Sequence, residues 1–223
     1  VWTPARHLAD AGPLFTDAVP TSPRPLRRAG ALAAAAALAV TLAGCVTGGS
    51  SSTGGDAAVV PAPGRTIEAA PPAIAELRGY RIAVVIPDDS EATETLLTAA
   101  HAFADESGAE LVEFPAATGG DDPVGEALAA AVGADADVVV GLGEGVVGVF
   151  DFETGKVLHQ EVLVIGGQLA EPTENVTAVI WPGATAREPT DDESVTVERG
   201  VDALTAGVMS IRDGVTGVVL SLD

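Results

Sequence analysis

From Arg78 onward, short apolar runs alternate with segments whose apolar residues recur every three or four positions, the rhythm of βα units around a parallel sheet. Arg81-Ile82-Ala83-Val84-Val85-Ile86 is apolar at successive positions, which predicts a first strand buried on both faces. Ser90 is placed to cap the following helix, with Thr93 where a capping box would carry Glu. Ala92, Leu96, Ala100, Phe103 and Ser107 give that helix an inward face, and Gly108 ends it. Ala109 to Phe114 reads as a second strand. Gly119-Gly120-Asp121-Asp122 then leads to a helix with Pro123 at its first position and Val124, Leu128, Ala131 and Val132 as its buried stripe.

Asp137-Val138-Val139-Val140-Gly141, Glu161 to Gly166 and Asn175 to Trp181 read as the third, fourth and fifth strands, with a short helix between the third and fourth. Past an acidic loop, Val197, Val201, Leu204, Val208 and Ile211 step alternately by four and three, the clearest helical period in the chain. Gly217 to Leu222 is apolar enough for a last strand. The predicted fold is a three-layer α/β sandwich around a mostly parallel sheet over 79–223, about 145 residues, which is room for one lobe and not two.

Upstream the pattern is different. Arg24, Arg27 and Arg28 precede an almost unbroken Ala/Leu/Val run from Ala29 to Ala43, about fifteen residues. A permanent bilayer helix needs about twenty, so the run reads as an export signal and not as a spanning anchor. Leu42-Ala43-Gly44-Cys45 resembles the bacterial lipobox, which implies a diacylglycerol on the Cys45 thiol and cleavage just before it. The alternative is a plain signal peptide ending near Ala43. Residues 1–22 carry no apolar period and read as an over-long leader or an early start, Val1 fitting a non-ATG start. From Val46 the chain turns to Gly, Ser, Thr, Ala and Pro, a composition too poor in apolar surface to fold. The expected organisation is therefore an N-terminal extension plus lipoprotein signal over 1–44, a flexible tether over 45–78 and the α/β lobe over 79–223. The lobe would be exported and held by its lipid on the extracytoplasmic face of the cell membrane.

Charge narrows the partners. Thirty-two Asp and Glu against eleven Lys and Arg leave −21 on the chain, which repels nucleic acid. One cysteine permits neither a disulfide framework nor a Cys-clustered metal centre, and the three histidines His7, His101 and His159 lie far apart. No Gly-x-Ser-x-Gly nucleophile elbow occurs, and Gly155-Lys156 lacks the rest of a phosphate loop. No enzyme, no cofactor and no metal site is expected.

With its elements placed, the segment from Arg81 to Trp181 resembles one lobe of the type I periplasmic-binding fold. It is similar, more narrowly, to the C-terminal lobe of the basic membrane protein family of substrate-binding lipoproteins. The resemblance rests on Gly133-Ala134-Asp135-Ala136-Asp137-Val138-Val139-Val140, on Gly143-Glu144-Gly145-Val146-Val147-Gly148-Val149-Phe150, on the strand ending Ile165-Gly166, and on Glu174-Asn175-Val176-Thr177. It implies a nucleoside- or sugar-like ligand delivered to an ABC transporter. The chain departs from that family where Gly-Val-Asp is usual: Gly166-Gly167-Gln168 carries no acid to hold a ribose. A degenerate lobe serving as an envelope interaction or structural module, alone or as a homo-oligomer, is the alternative.

The candidate ligand residues are those at the carboxyl ends of predicted strands, where open α/β sheets bind ligands. They are Asp88, Asp89 and Ser90 after the first strand, Gly143, Glu144 and Gly145 after the third, Gln168 after the fourth and Trp181 after the fifth. Asp88-Asp89-Ser90 would hold a hydroxyl-rich or cationic ligand, or serve only as a solvated turn and helix cap. Trp181 would stack on a base or sugar, or sit half-buried on the rim. Gly143-x-Gly145-x-x-Gly148 has the spacing of a dinucleotide fingerprint, but it follows the third strand and carries Glu144. A tight βα turn is the simpler reading, and a dinucleotide-dependent enzyme is the third alternative that this spacing alone keeps open. The acidic loop 188–193 reads most simply as a solvated face and helix N-terminus, with weak calcium binding a distant alternative.

Overall fold

The computed structural model describes residues 62–223. Cys45, the apolar leader and most of the expected tether lie outside the described residues. Among the described residues no helix is long and apolar enough to cross a membrane.

Among the described residues seven strands form one sheet: β1 (Arg65–Glu68), β2 (Arg81–Ile86), β3 (Glu110–Pro115), β4 (Val138–Leu142), β5 (Val162–Ile165), β6 (Val176–Ile180) and β7 (Val218–Ser221). Every pairing is parallel and the spatial order is β1-β7-β6-β5-β4-β2-β3. The helices are α1 (Glu91–Ser107), α2 (Pro123–Val132), α3 (Val147–Glu153) and α4 (Val197–Arg212). Strands this apolar need cover on both faces, and they have it. Ile82 and Val84 point with Leu163, Ile165 and Val179 into a core shared with Leu96 and Phe103 of α1 and Leu204 and Val208 of α4. Their neighbours Ala83 and Val85 point the other way, with Val139, Val162 and Val164, onto Leu128 of α2 and Phe150 of α3. The result is the expected three-layer α/β sandwich.

Helix signals read from sequence have direct counterparts. The Ser90 hydroxyl accepts from the Thr93 N–H at 3.3 Å, Pro123 opens α2 behind an Asp122 cap, and the Gly108 N–H closes α1 on the Ala104 carbonyl at 2.8 Å. α4 lies close to its neighbours through glycine. A Cβ on Gly200 would sit 2.5 Å from Ala99 Cβ, and one on Gly207 would sit 2.4 Å from Leu163 Cδ1.

One boundary needs correction. The expected tether, 45–78, includes chain that belongs to the folded unit: β1 adds to the sheet edge beside β7, with Thr66 opposite Val219 and Ile67 opposite Leu220. Leu77 is buried in the same core as α1. Arg-Thr-Ile-Glu is too short and too exposed to announce itself, because its order comes from ladder bonds to a distant strand and not from its own apolar surface.

After β1 at the far edge the chain crosses to β2, steps outward to β3, then returns to the other side of β2 as β4 and continues through β5, β6 and β7, which pairs with β1. The direction reverses between β2 and β4. At such a reversal the loops leaving two adjacent strands diverge to opposite faces and open a crevice at their carboxyl ends.

Candidate functional site

A cleft of about 290 Å³ occupies that crevice. The β2 loop contributes Asp88 and Ser90, the β4 loop Gly143, Glu144 and Gly145, β5 ends in it at Gly166, and Thr190 and Asp192 close it from the loop before α4. Five of the eight ligand residues expected from sequence therefore share one concavity.

Asp88 organises the β2 side. Its Oδ1 accepts from the Ser90 N–H at 3.0 Å, the Ser90 hydroxyl at 2.6 Å and the Thr93 hydroxyl at 2.8 Å. Burial works to raise this carboxyl, but those three donors outweigh it and hold it below the ordinary aspartate value. Asp88 is thus an anion at neutral pH, aimed by the first turn of α1. Thr93 fills the position where a capping box has Glu, and it uses its hydroxyl to fix Asp88 instead. Oδ2 faces the β4 turn: a Cβ on Gly145 would lie 2.7 Å from it and 2.8 Å from Pro87 Cγ.

That contact settles the glycine fingerprint on physical grounds. Gly143 does take φ +69°, as the first glycine of such a turn would. The space that Gly145 leaves open is filled by Pro87 and the Asp88 carboxylate, where a pyrophosphate would have to approach. Glu144 stands in the same turn, and α3 runs only seven residues. Three carboxylates around the cleft, on Asp88, Glu144 and Asp192, oppose a phosphate ligand.

Glu144 has a partner of its own. Its Oε2 accepts from the Thr190 N–H at 3.1 Å and from the Thr190 hydroxyl at 2.8 Å. The acidic stretch 188–193, read from sequence as a solvated face, thus also supplies part of the cleft wall. No local pattern signals this pairing across 46 residues.

The other three expected residues lie elsewhere. Asp89 faces a separate groove between the β2 and β3 loops, beside Ile86, Leu97 and Pro115. Gln168 is half-buried and does not line the cleft. Trp181 corrects its expectation most clearly. It is 1% exposed, its indole N–H donates to the Ser194 carbonyl at 3.0 Å, and so it has no free face on which a base or sugar could stack. The β6 corner closes over it through paired backbone contacts with Ala184.

Two further perturbed groups lie at the opposite, amino-terminal ends of the strands. Burial pushes the Tyr80 hydroxyl up to about 12, with Asp137 adding to the shift, and burial likewise raises the Glu161 carboxyl. Neither lines the cleft. Among the described residues no group of three or more His, Cys, Asp or Glu side chains is placed to hold a metal ion.

No family model matches the chain. No curated protein matches it either. Among solved structures it is similar to an ABC transporter system solute-binding protein from Aeropyrum pernix K1, at 16% identity and TM-score 0.41 over 47% of this chain and 29% of that one. It is also similar to the LacI family transcriptional regulator CCPA from Weissella paramesenteroides, solved with bound sucrose, at 14% identity and TM-score 0.34 over 63% and 57%. The matches span under a third of the first protein and little more than half of the second. Neither carries an argument at these scores, and neither singles out the basic membrane protein family. The α/β assignment rests on the chain's own strand order and layers.

Proposed function

We propose that the folded domain is a non-catalytic binding lobe that takes a small, polar, donor-rich ligand, such as a sugar, nucleoside or amine, in the cleft between the β2 and β4 loops. The observation that carries this reading is the position and state of Asp88. It stands at the strand-order reversal, ionised, with one oxygen saturated by its own chain and the other turned toward the β4 turn. The unsaturated oxygens of Asp88 and Glu144 are acceptors that a ligand's O–H or N–H groups can meet. The cleft lining holds no His, Cys or Lys, and the Ser90 hydroxyl, which lies beside the Asp88 carboxylate, is engaged in capping α1.

The domain reaches the cell surface, in this reading, through export and a lipid on Cys45, and presents its cleft to the extracytoplasmic medium. An ABC transporter is the partner that such a lobe would serve. Support for the anchor is the Leu42-Ala43-Gly44-Cys45 sequence behind the basic and apolar leader.

A second reading has its own support. Glu144 is already engaged by Thr190, and Trp181 is sealed in the core, which favours an envelope interaction module without a ligand. Thermal shift of the protein against nucleosides, sugars and amines separates the two. A rise in Tm with one class that disappears in Asp88→Asn supports binding; no rise with any class supports the interaction module. Metabolic palmitate labelling tests the anchor, with incorporation expected in the native chain and lost in Cys45→Ala. Label retained by that variant refutes the anchor.

A further inference from the structure

The loop from β6 to α4 is fastened at both ends. Besides the Trp181 bond to Ser194, the Asp191 N–H donates to the Gly183 carbonyl at 2.8 Å. Between these ties, residues 185–190 cross the carboxyl end of β5 and reach the β4 turn. Polar contacts hold them there: the two hydrogen bonds that the Thr190 N–H and hydroxyl donate to Glu144 Oε2, and the Arg187 guanidinium donating to the Leu169 carbonyl at 3.3 Å. Arg187, Glu188 and Pro189 are exposed, so these residues are held by hydrogen bonds and not by buried apolar surface. Ala186 takes φ +56°, left-handed backbone that strains a residue with a Cβ. Beneath it the chain makes room: a Cβ on Gly167 would stand 3.5 Å from Ala186 Cβ and 3.1 Å from Val147 Cγ2.

We infer that residues 185–190 form a strap that closes the cleft over β4 and β5, latched by Thr190 on Glu144, and that the strap must release Glu144 before a ligand reaches that wall. The inference rests on reading the cleft as the ligand site. Segments held by a few exposed hydrogen bonds open at low free-energy cost, independently of the core. The strained Ala186 backbone favours release. A ligand that draws the Glu144 carboxylate toward itself competes with Thr190 for that side chain, so binding and opening are coupled through one carboxylate.

Access to the cleft tests the strap without any ligand. Ala92 lines the cleft. A cysteine placed there in the full chain is reacted with iodoacetamide and, separately, with a bulky dye-maleimide, and peptide mass scores the site apart from Cys45. Loss of the latch is expected to speed the bulky reagent about threefold in Thr190→Val and about tenfold in Glu144→Ala, the range that one or two hydrogen bonds set. Iodoacetamide should change little, and Glu188→Ala, which removes a strap charge outside the latch, should alter neither rate. Acceleration of both reagents alike, the signature of a changed thiol charge environment or general loosening, overturns the strap. So does no acceleration of either. Selective acceleration together with failure of every ligand in thermal shift would keep the strap and remove the ligand reading.

Discussion

Replacing Asp88 by alanine removes the acceptor around which the β2 side of the cleft is built. Three donors lose their partner at once: the Ser90 N–H, the Ser90 hydroxyl and the Thr93 hydroxyl. A hydrogen bond to a charged acceptor is worth about 1.5–3 kcal/mol in a buried setting, but Asp88 is exposed, and solvent lowers each bond to about 0.5 kcal/mol. Thr93 is buried, and its hydroxyl retains a contact with the Ser90 hydroxyl at 2.9 Å, which limits the penalty of orphaning it. The expected loss is about 1–2 kcal/mol, or roughly 3–6 °C in Tm for a domain of this size. The pH dependence gives the reasoning a sign. The folded carboxyl lies below its unfolded value, so its contribution is fully present above about pH 4 and is lost as pH falls through the folded value. Urea denaturation of the native protein and Asp88→Ala should therefore differ at pH 7 and converge toward pH 2. Equal stability at pH 7, or a gap that grows on acidification, would refute the assignment of Asp88 as the organising anion.

Other substitutions probe the same frame. Thr177 on β6 is fully buried with its hydroxyl unpartnered, so Thr177→Val should raise stability by about 1–2 kcal/mol in calorimetry, and a loss would mean the hydroxyl is bonded in solution. Gly145→Ala should cost about 1–3 kcal/mol by forcing a methyl against Pro87 and the Asp88 carboxylate, measured by the same denaturation; a neutral result would show that the β2 and β4 loops part easily. Trp181→Phe should cost about 2–3 kcal/mol, through the lost bond to Ser194 and the cavity that a smaller ring leaves in the core, while leaving any ligand affinity unchanged, and a weakened affinity would return the indole to the site.

Most of the sheet was legible because its interior strands are buried on both faces and so are written as continuous runs of Val, Ile and Leu. Ile82 to Ile86, Val138 to Val140 and Val162 to Ile165 leave little else to choose. α4 was legible because Leu204, Val208 and Ile211 recur at helical spacing on its inward face, although Val197 at its start is exposed and the small residues Gly200, Ala203 and Gly207 complete that face. β1 was not, since Arg65 to Glu68 is polar, short and flanked by Pro and Gly, and owes its place to a partner some 150 residues away. At the site, sequence located residues by the rule that strand carboxyl ends carry function, and five of eight do line one cleft. It failed where side-chain direction decides. Trp181 ends a strand, yet the pleat turns it toward α1 and α4, into the core. Thr190 and Glu144 meet only because the loop before α4 folds back over β5, and pairings of that range leave no local period to read.

The central claim is that the crevice between the β2 and β4 loops is a binding site. Amide chemical-shift mapping of the isotopically labelled protein, titrated with the sugars, nucleosides and amines of the thermal-shift panel, tests it most directly. The account predicts saturable shifts for one class, concentrated at residues 88–93, 143–145 and 190–195. Saturable shifts centred on another surface, or none with any class, would contradict it.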